Sequence, residues 1–151
     1  MKNTIFDVVD YILKKQGETV VIKLHLLLYY CQAWSLVWDD EPLFEDRIES
    51  WSFGPVVPRV YKLYEGNFKV SECPIGNKNN LNQEQIDTID AILKFYGNRS
   101  TQWLIHLVRE ESPYKESWYE NSRYSIKEKD KISLESIKNY YLTLDSQDNP
   151  G

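Results

Sequence analysis

Between Leu24 and Trp38 almost every position is apolar or aromatic, and only His25, Gln32 and Ser35 interrupt the run. At helical spacing Leu24, Leu28, Cys31, Ser35 and Trp38 share one face, and Leu27, Tyr30, Trp34 and Val37 fill the next, so the apolar stripe wraps most of the circumference. Such a helix has to be covered on several sides. The run is shorter than the ~20 apolar residues a membrane span needs, starts at Lys23 and carries Gln32 at its centre. It therefore reads as the buried axial helix of a soluble, cytoplasmic domain.

The remaining segments are amphipathic and shorter. Residues 4–16 place Ile5, Phe6, Val8, Val9, Ile12 and Leu13 on one side, with Thr4 to cap the helix and Gly17 to end it. Val20 and Val21 leave the entry to the axial helix open between helical and extended, and Glu41 with Pro42 is expected to close it. Residues 43–53 fit neither period, with room for a short strand at 48–53. Pro55 is placed to open a third helix carrying Val56, Val57, Val60, Tyr61 and Tyr64, stopped by Gly66. A polar loop, 67–80, leads to the best-marked helix, where Asn82 and Gln85 have capping-box spacing and the stripe runs to Tyr96.

A fifth helix, 100–110, carries Trp103, Leu104, Leu107 and Val108 and ends before Pro113. Glu110 and Glu111 oppose its dipole, a sign that these acids have a partner elsewhere. The stretch 112–124 interleaves Tyr114, Trp118, Tyr119 and Tyr124 with polar residues, too polar for core and too aromatic for a linker. Residues 127–131 alternate in charge and read as solvated surface. A last helix, 133–144, has Leu134, Ile137, Tyr140, Tyr141 and Leu144 on one side. The expectation is an all-α domain over residues 1–144, about six helices around a buried central one with room for a two-stranded β element, and a flexible tail at 145–151.

Composition narrows the partners. A chain of 151 residues builds one core. Its net charge of −5 and lack of any Lys/Arg run leave phosphate contacts without a basic patch, which argues against a nucleic-acid partner. Cys31 and Cys73 are too few for a disulfide scaffold and read as free thiols of a reducing compartment. The N-terminus lacks the apolar core of a signal peptide. Five Trp and eleven Tyr are the main raw material for a binding surface.

Catalytic chemistry finds little to work with. His106 and Glu110 share a helix face at i, i+4, half of a metal site, but neither HExxH nor paired Cys/His spacing accompanies them. A structural hydrogen-bonding pair is the plainer reading; a small hydrolase using the two is the enzyme alternative. Cys31 lies in an apolar run where a thiol is inert. Phosphate-cradling glycine motifs and the nucleophile elbow are missing. No catalytic residue, metal ligand or cofactor is expected. Gly54 and Pro55 fit a tight corner better than a ligand-facing turn. Trp118 and its neighbours suit an interface hot spot and a half-buried position about equally.

Three motifs together carry a resemblance. KLHLLLYYCQAW, then PLF, then WSFGPVVPRVY resembles the signature of the Panacea antitoxin domain, the family of SocA-like antitoxins and the phage-associated protein GepA. Lys23, Leu24, Leu27, Leu28, Tyr29, Tyr30 and Gln32 match its first block. Pro42 and Phe44 match the second, and Trp51, Gly54, Pro55, Val56, Val60 and Tyr61 the third. His106 and the stretch ending at Tyr114 resemble the family's later His and Pro-aromatic pair. Leu26, Ser50 and Tyr114 depart from the pattern, where the family has Lys, Ala and Trp. The resemblance implies a non-enzymatic antitoxin that binds a cognate, adjacently encoded toxin directly, with delivery to a ClpXP-type protease in the SocA branch. A folded face including Tyr29, Gln32, Trp51, Gly54, Pro55, Val57, His106, Tyr114 and Trp118 is expected to bind the partner. A DNA-binding autoregulator and a prophage interaction protein are the competing readings.

Overall fold

A computed structural model of the chain describes residues 4–124 and 131–148, with side-chain surroundings described through Trp118 and from Lys131 to Ser146. The axial helix is α2 (Val21–Trp38), and fourteen of its eighteen residues are buried, which is what an all-round apolar stripe demands. Around it stand α1 (Thr4–Gln16), α4 (Gln83–Tyr96), α5 (Thr101–Glu110) and α7 (Leu134–Asp148), with α6 (Ser112–Tyr124) packed on α5 and α7. The short α3 (Pro58–Leu63) completes seven α-helices among the described residues. Two small antiparallel sheets accompany them: β1 (Thr19–Val20) with β4 (Lys69–Val70), and the hairpin β2 (Glu49–Trp51) with β3 (Gly54–Val56).

Several boundaries differ from expectation for clear reasons. Val20 is extended and Val21 helical, so the ambiguous pair divides between β1 and α2. The axial helix stops at Trp38 rather than at Pro42, with Asp40 in the left-handed region at φ 59°, a conformation Asp tolerates. Pro55 does not open α3: it lies in β3, and Pro58 takes the first helical position. The β-branched Val56 and Val57 favour extended backbone, and Val57 precedes a proline, which disfavours the helical region. Gly54 has φ +138°, open to glycine, and lets the hairpin turn beside Leu26.

The polar loop is anchored by carboxylates on α1. Asp7 accepts from the backbone N–H of Asn77 at 2.8 Å, and Asp10 from that of Lys78 at 2.8 Å. At Gly76 the loop passes so close that a Cβ would lie 2.0 Å from the Phe6 carbonyl oxygen. The capping box of α4 forms as expected: Gln85 N–H donates to Asn82 Oδ1 at 2.8 Å and Asn82 N–H to Gln85 Oε1 at 2.9 Å. At its other end, Lys23 Nζ and Gln16 Nε2 donate to the Gly97 carbonyl at 2.8 and 2.9 Å, a cation at a helix C-terminus.

The stretch expected to be neither core nor linker is the helix α6. Helix α7 runs on to Asp148, taking in four residues assigned to the tail; residues 149–151 lie outside the described residues, as do 127–130 of the alternating-charge stretch. Lys131 pairs with Glu49, and Ile132 N–H donates to the Ile48 carbonyl at 2.8 Å, joining the start of α7 to the hairpin.

Candidate functional site

The expected partner-binding residues fall into four places. Trp51, Gly54, Pro55, Val57 and Tyr114 come together at the β2–β3 hairpin, where the Tyr114 hydroxyl donates to the Trp51 carbonyl. Gly54, Pro55, Val57 and Tyr114 are buried there; Trp51 is half exposed, its ring 4.7 Å from that of Tyr61 and its Nε1 donating to Glu49 at 2.9 Å. Trp118, on α6, is partly buried against the core. Tyr29 and Gln32 are fully buried on α2. His106 is exposed on α5, as is Glu110, and among the described residues no group of three or more His, Cys, Asp or Glu is arranged to hold a metal ion.

The polar interruptions of α2 each have an internal task. Gln32 Nε2 donates to the Phe44 carbonyl at 2.8 Å while its Oε1 accepts from the N–H groups of Leu43 and Phe44 at 2.8 and 3.2 Å. One buried amide thus fastens an irregular segment to the axial helix, satisfying three backbone groups cut off from water. His25 Nδ1 accepts from Val57 N–H at 3.1 Å, holding the hairpin's exit, and Nε2 is buried with no partner among the described residues. Burial lowers the His25 pKa to about 4, so the ring is neutral with its proton on Nε2.

Glu111 ends α5 and begins a connected set of buried phenols. Its Oε1 accepts from Tyr30 at 2.7 Å and from Tyr141 at 2.6 Å, and the Tyr141 oxygen lies 3.1 Å from that of Tyr29. A hydroxyl carries one proton. With Tyr141's given to the carboxylate, Tyr29 must donate to Tyr141, and the order runs Tyr29, Tyr141, Glu111, Tyr30. Burial pushes the Glu111 carboxyl above the usual carboxylate range, opposed by the hydrogen bonds from Tyr141 and Tyr30. The three tyrosines are fully buried, and burial raises each phenol well above its ordinary value.

Beside this set a groove of about 430 Å³ opens between α2, α4, α5 and α7, with Glu111 among its lining residues. Trp34 and Trp38 come from α2, Phe95 and Tyr96 from α4, Trp103 and Leu107 from α5. Leu144 and Asp145 close it from α7. The Tyr96 ring stacks on Tyr30 at 4.2 Å and its hydroxyl accepts a hydrogen bond from Trp34 Nε1 at 3.2 Å, which fixes the inner wall. The outer wall is open: Trp38, Phe95 and Trp103 are 46%, 55% and 39% exposed. Arg99 lies over the Phe95 and Trp103 rings at 5.3 and 4.4 Å. Exposed aromatics gathered on one concave face, rather than scattered singly, are the kind of surface that marks an interaction site.

Sequence reasoning placed Trp34, Trp38, Tyr96 and Trp103 in core stripes and did not find the groove. Its one legible signal was Glu111, an acid at the wrong end of a helix.

The fold and the groove define a small helical domain wrapped around one buried helix, with an aromatic concavity left open. The chain belongs to the SocA-like antitoxin family with a Panacea domain, whose model matches residues 24–119. The match takes in most of α2 and continues into α6, so Tyr141, Leu144 and Asp145 on α7 are contributed from outside it. No curated protein and no solved structure matches the chain. Family membership supports an antitoxin role in general. Among the described residues no helix is long and apolar enough to cross a membrane.

Proposed function

We propose that this protein neutralises a cognate toxin by binding it directly with a preformed, folded face, and that this face is the aromatic groove between α2, α4, α5 and α7. The observation that carries the reading is the exposure of Trp38, Phe95 and Trp103 around one concavity, in a chain that buries most of its other large apolar side chains. Burying such rings against a partner contributes roughly 25 cal/mol per Å² of apolar surface. The surrounding helices are fixed by the α2 core, so little ordering cost opposes association.

The hairpin residues serve a different part. Gly54, Pro55, Val57 and Tyr114 are buried in the hairpin packing, and Tyr29 and Gln32 lie in the core, so each influences a partner through the shape it holds. His106, Trp51 and Trp118 retain accessible surface. The exposed His106–Glu110 pair supports a binding role over a hydrolytic one, since open solvent leaves neither group the desolvated setting that general acid–base chemistry uses.

Inducing each reading frame that flanks the gene, with and without this protein, tests the function. Growth arrest by one of them, relieved on co-expression, with a complex of the two proteins surviving gel filtration, is the expected result. Arrest that persists despite expression of this protein overturns the reading. Neutralisation by occupation further predicts rescue in cells lacking ClpX.

A further inference from the structure

Glu111 is 5% exposed and lines the groove, and among the described residues its carboxylate has phenol hydroxyls as its side-chain hydrogen-bond partners. Among the described residues no Lys, Arg or His comes within ion-pair distance of it. Two donated hydrogen bonds stabilise an anion but supply no opposite charge, and buried anions in proteins are ordinarily matched by a cation. Arg99, the guanidinium at the lip, is already stacked on Phe95 and Trp103. Asp145 adds a second acid on the α7 wall, and the chain as a whole carries −5. An acidic group in the lining of an aromatic concavity is the complement of a cation held among apolar atoms: the acid meets the charge, and the ring faces meet the stem.

We infer that the groove receives a Lys or Arg side chain of the toxin, set between apolar residues, with its cation beside Glu111 and its neighbours against Trp34, Trp38 and Leu107. This rests on the antitoxin reading above and names the chemistry of its partner. About 430 Å³ is the size of a pocket for one anchor and its flanking side chains rather than a cradle for a long helix. The net negative charge steers a basic segment toward the face, so the surface charge speeds encounter and Glu111 holds the bound state.

The test uses the toxin neutralised in the co-expression assay, purified and titrated against the full chain by calorimetry. Phe95 is more than half exposed, so Phe95→Lys and Phe95→Glu both leave the core intact and differ chiefly in the sign of their charge. Phe95→Lys is expected to weaken binding about tenfold more than Phe95→Glu, and Glu111→Gln by about tenfold or more. A scan of toxin Lys and Arg residues to Met should find one whose loss matches that of Glu111→Gln and adds nothing when the two are combined. Equal affinities for the two Phe95 variants overturn the inference, as does toxin binding untouched by Glu111→Gln. If wild-type protein still neutralises in those cases, the antitoxin reading stands and only the cation anchor falls. If Glu111→Gln fails to fold, the Phe95 pair decides. Variants that alter self-association but leave toxin affinity unchanged point to a second copy of this chain and overturn the inference too.

Discussion

Replacing Tyr141 by Phe removes one oxygen from the centre of the buried phenol set and leaves the ring packing in place. Tyr141 donates to Glu111 Oε1 at 2.6 Å and lies 3.1 Å from the Tyr29 hydroxyl. The variant loses a hydrogen bond to a charged acceptor, worth about 1.5–3 kcal/mol, and strands the fully buried Tyr29 O–H, worth about 1–3 kcal/mol more. A total of about 3–5 kcal/mol is expected. Tyr30→Phe removes only the charged bond, about 1.5–3 kcal/mol, and Tyr29→Phe only the neutral terminal one, about 1 kcal/mol. Urea unfolding at neutral pH, with unchanged m values, should therefore rank the three as Tyr141, Tyr30, Tyr29. Losing a donor raises the Glu111 carboxyl further, so the Tyr141→Phe deficit should shrink as the pH falls and the acid takes up its proton. A Tyr29→Phe cost equal to that of Tyr141→Phe would refute the proton order.

Three further outcomes follow from the geometry. Gln32→Glu keeps an acceptor for Leu43 and Phe44 but cannot donate to the Phe44 carbonyl and adds a buried charge, so a loss of about 3 kcal/mol or more is expected in thermal or urea unfolding. Gly76→Ala must push the 73–80 loop off the Phe6 carbonyl, and should lower stability measurably and speed hydrogen exchange at Asn77 and Lys78, whose N–H groups Asp7 and Asp10 now hold. His25 has a folded pKa lowered from 6.5 to about 4, so its neutral form is the one the fold favours. The corresponding stability is complete above pH 6.5 and is lost as pH falls through about 4, where the full difference reaches about 3 kcal/mol. A His25→Asn variant, able to accept from Val57 N–H, should lack that slope across pH 4–6.5 when unfolding is followed by urea titration.

What the sequence disclosed was local. The axial helix announced itself because apolar residues on all faces have no solution but burial. The α4 start was legible because Asn82 and Gln85 satisfy each other's backbone within four residues, with no help from the rest of the chain. Helix α6 was missed because its composition is polar. Pro113 was taken as the end of α5, although a proline in the first turn also opens a helix, and Tyr114 with Trp118 at i, i+4 was the available signal. A tight corner at Gly54 and Pro55 was anticipated, though as the entry to a helix rather than a hairpin, and the burial of Gly54, Pro55 and Val57 depends on His25 and Leu26 of α2, whose approach no local pattern encodes. The groove was out of reach for the same reason. Phe95 and Trp103 sit on amphipathic helices and Trp38 at the end of the all-apolar α2, and only the way α2, α4, α5 and α7 meet decides that their rings remain uncovered.

Hydroxyl-radical footprinting of the toxin complex against the free protein reads whether the groove is the contact face, since it reports side-chain accessibility without any substitution. Trp38, Phe95 and Trp103 should be protected, with Phe68 and Ile75, exposed and outside the groove's lining, reacting as before. Protection centred on Trp51, His106 or Phe68, with Phe95 and Trp103 as reactive in the complex as in the free chain, would contradict that reading.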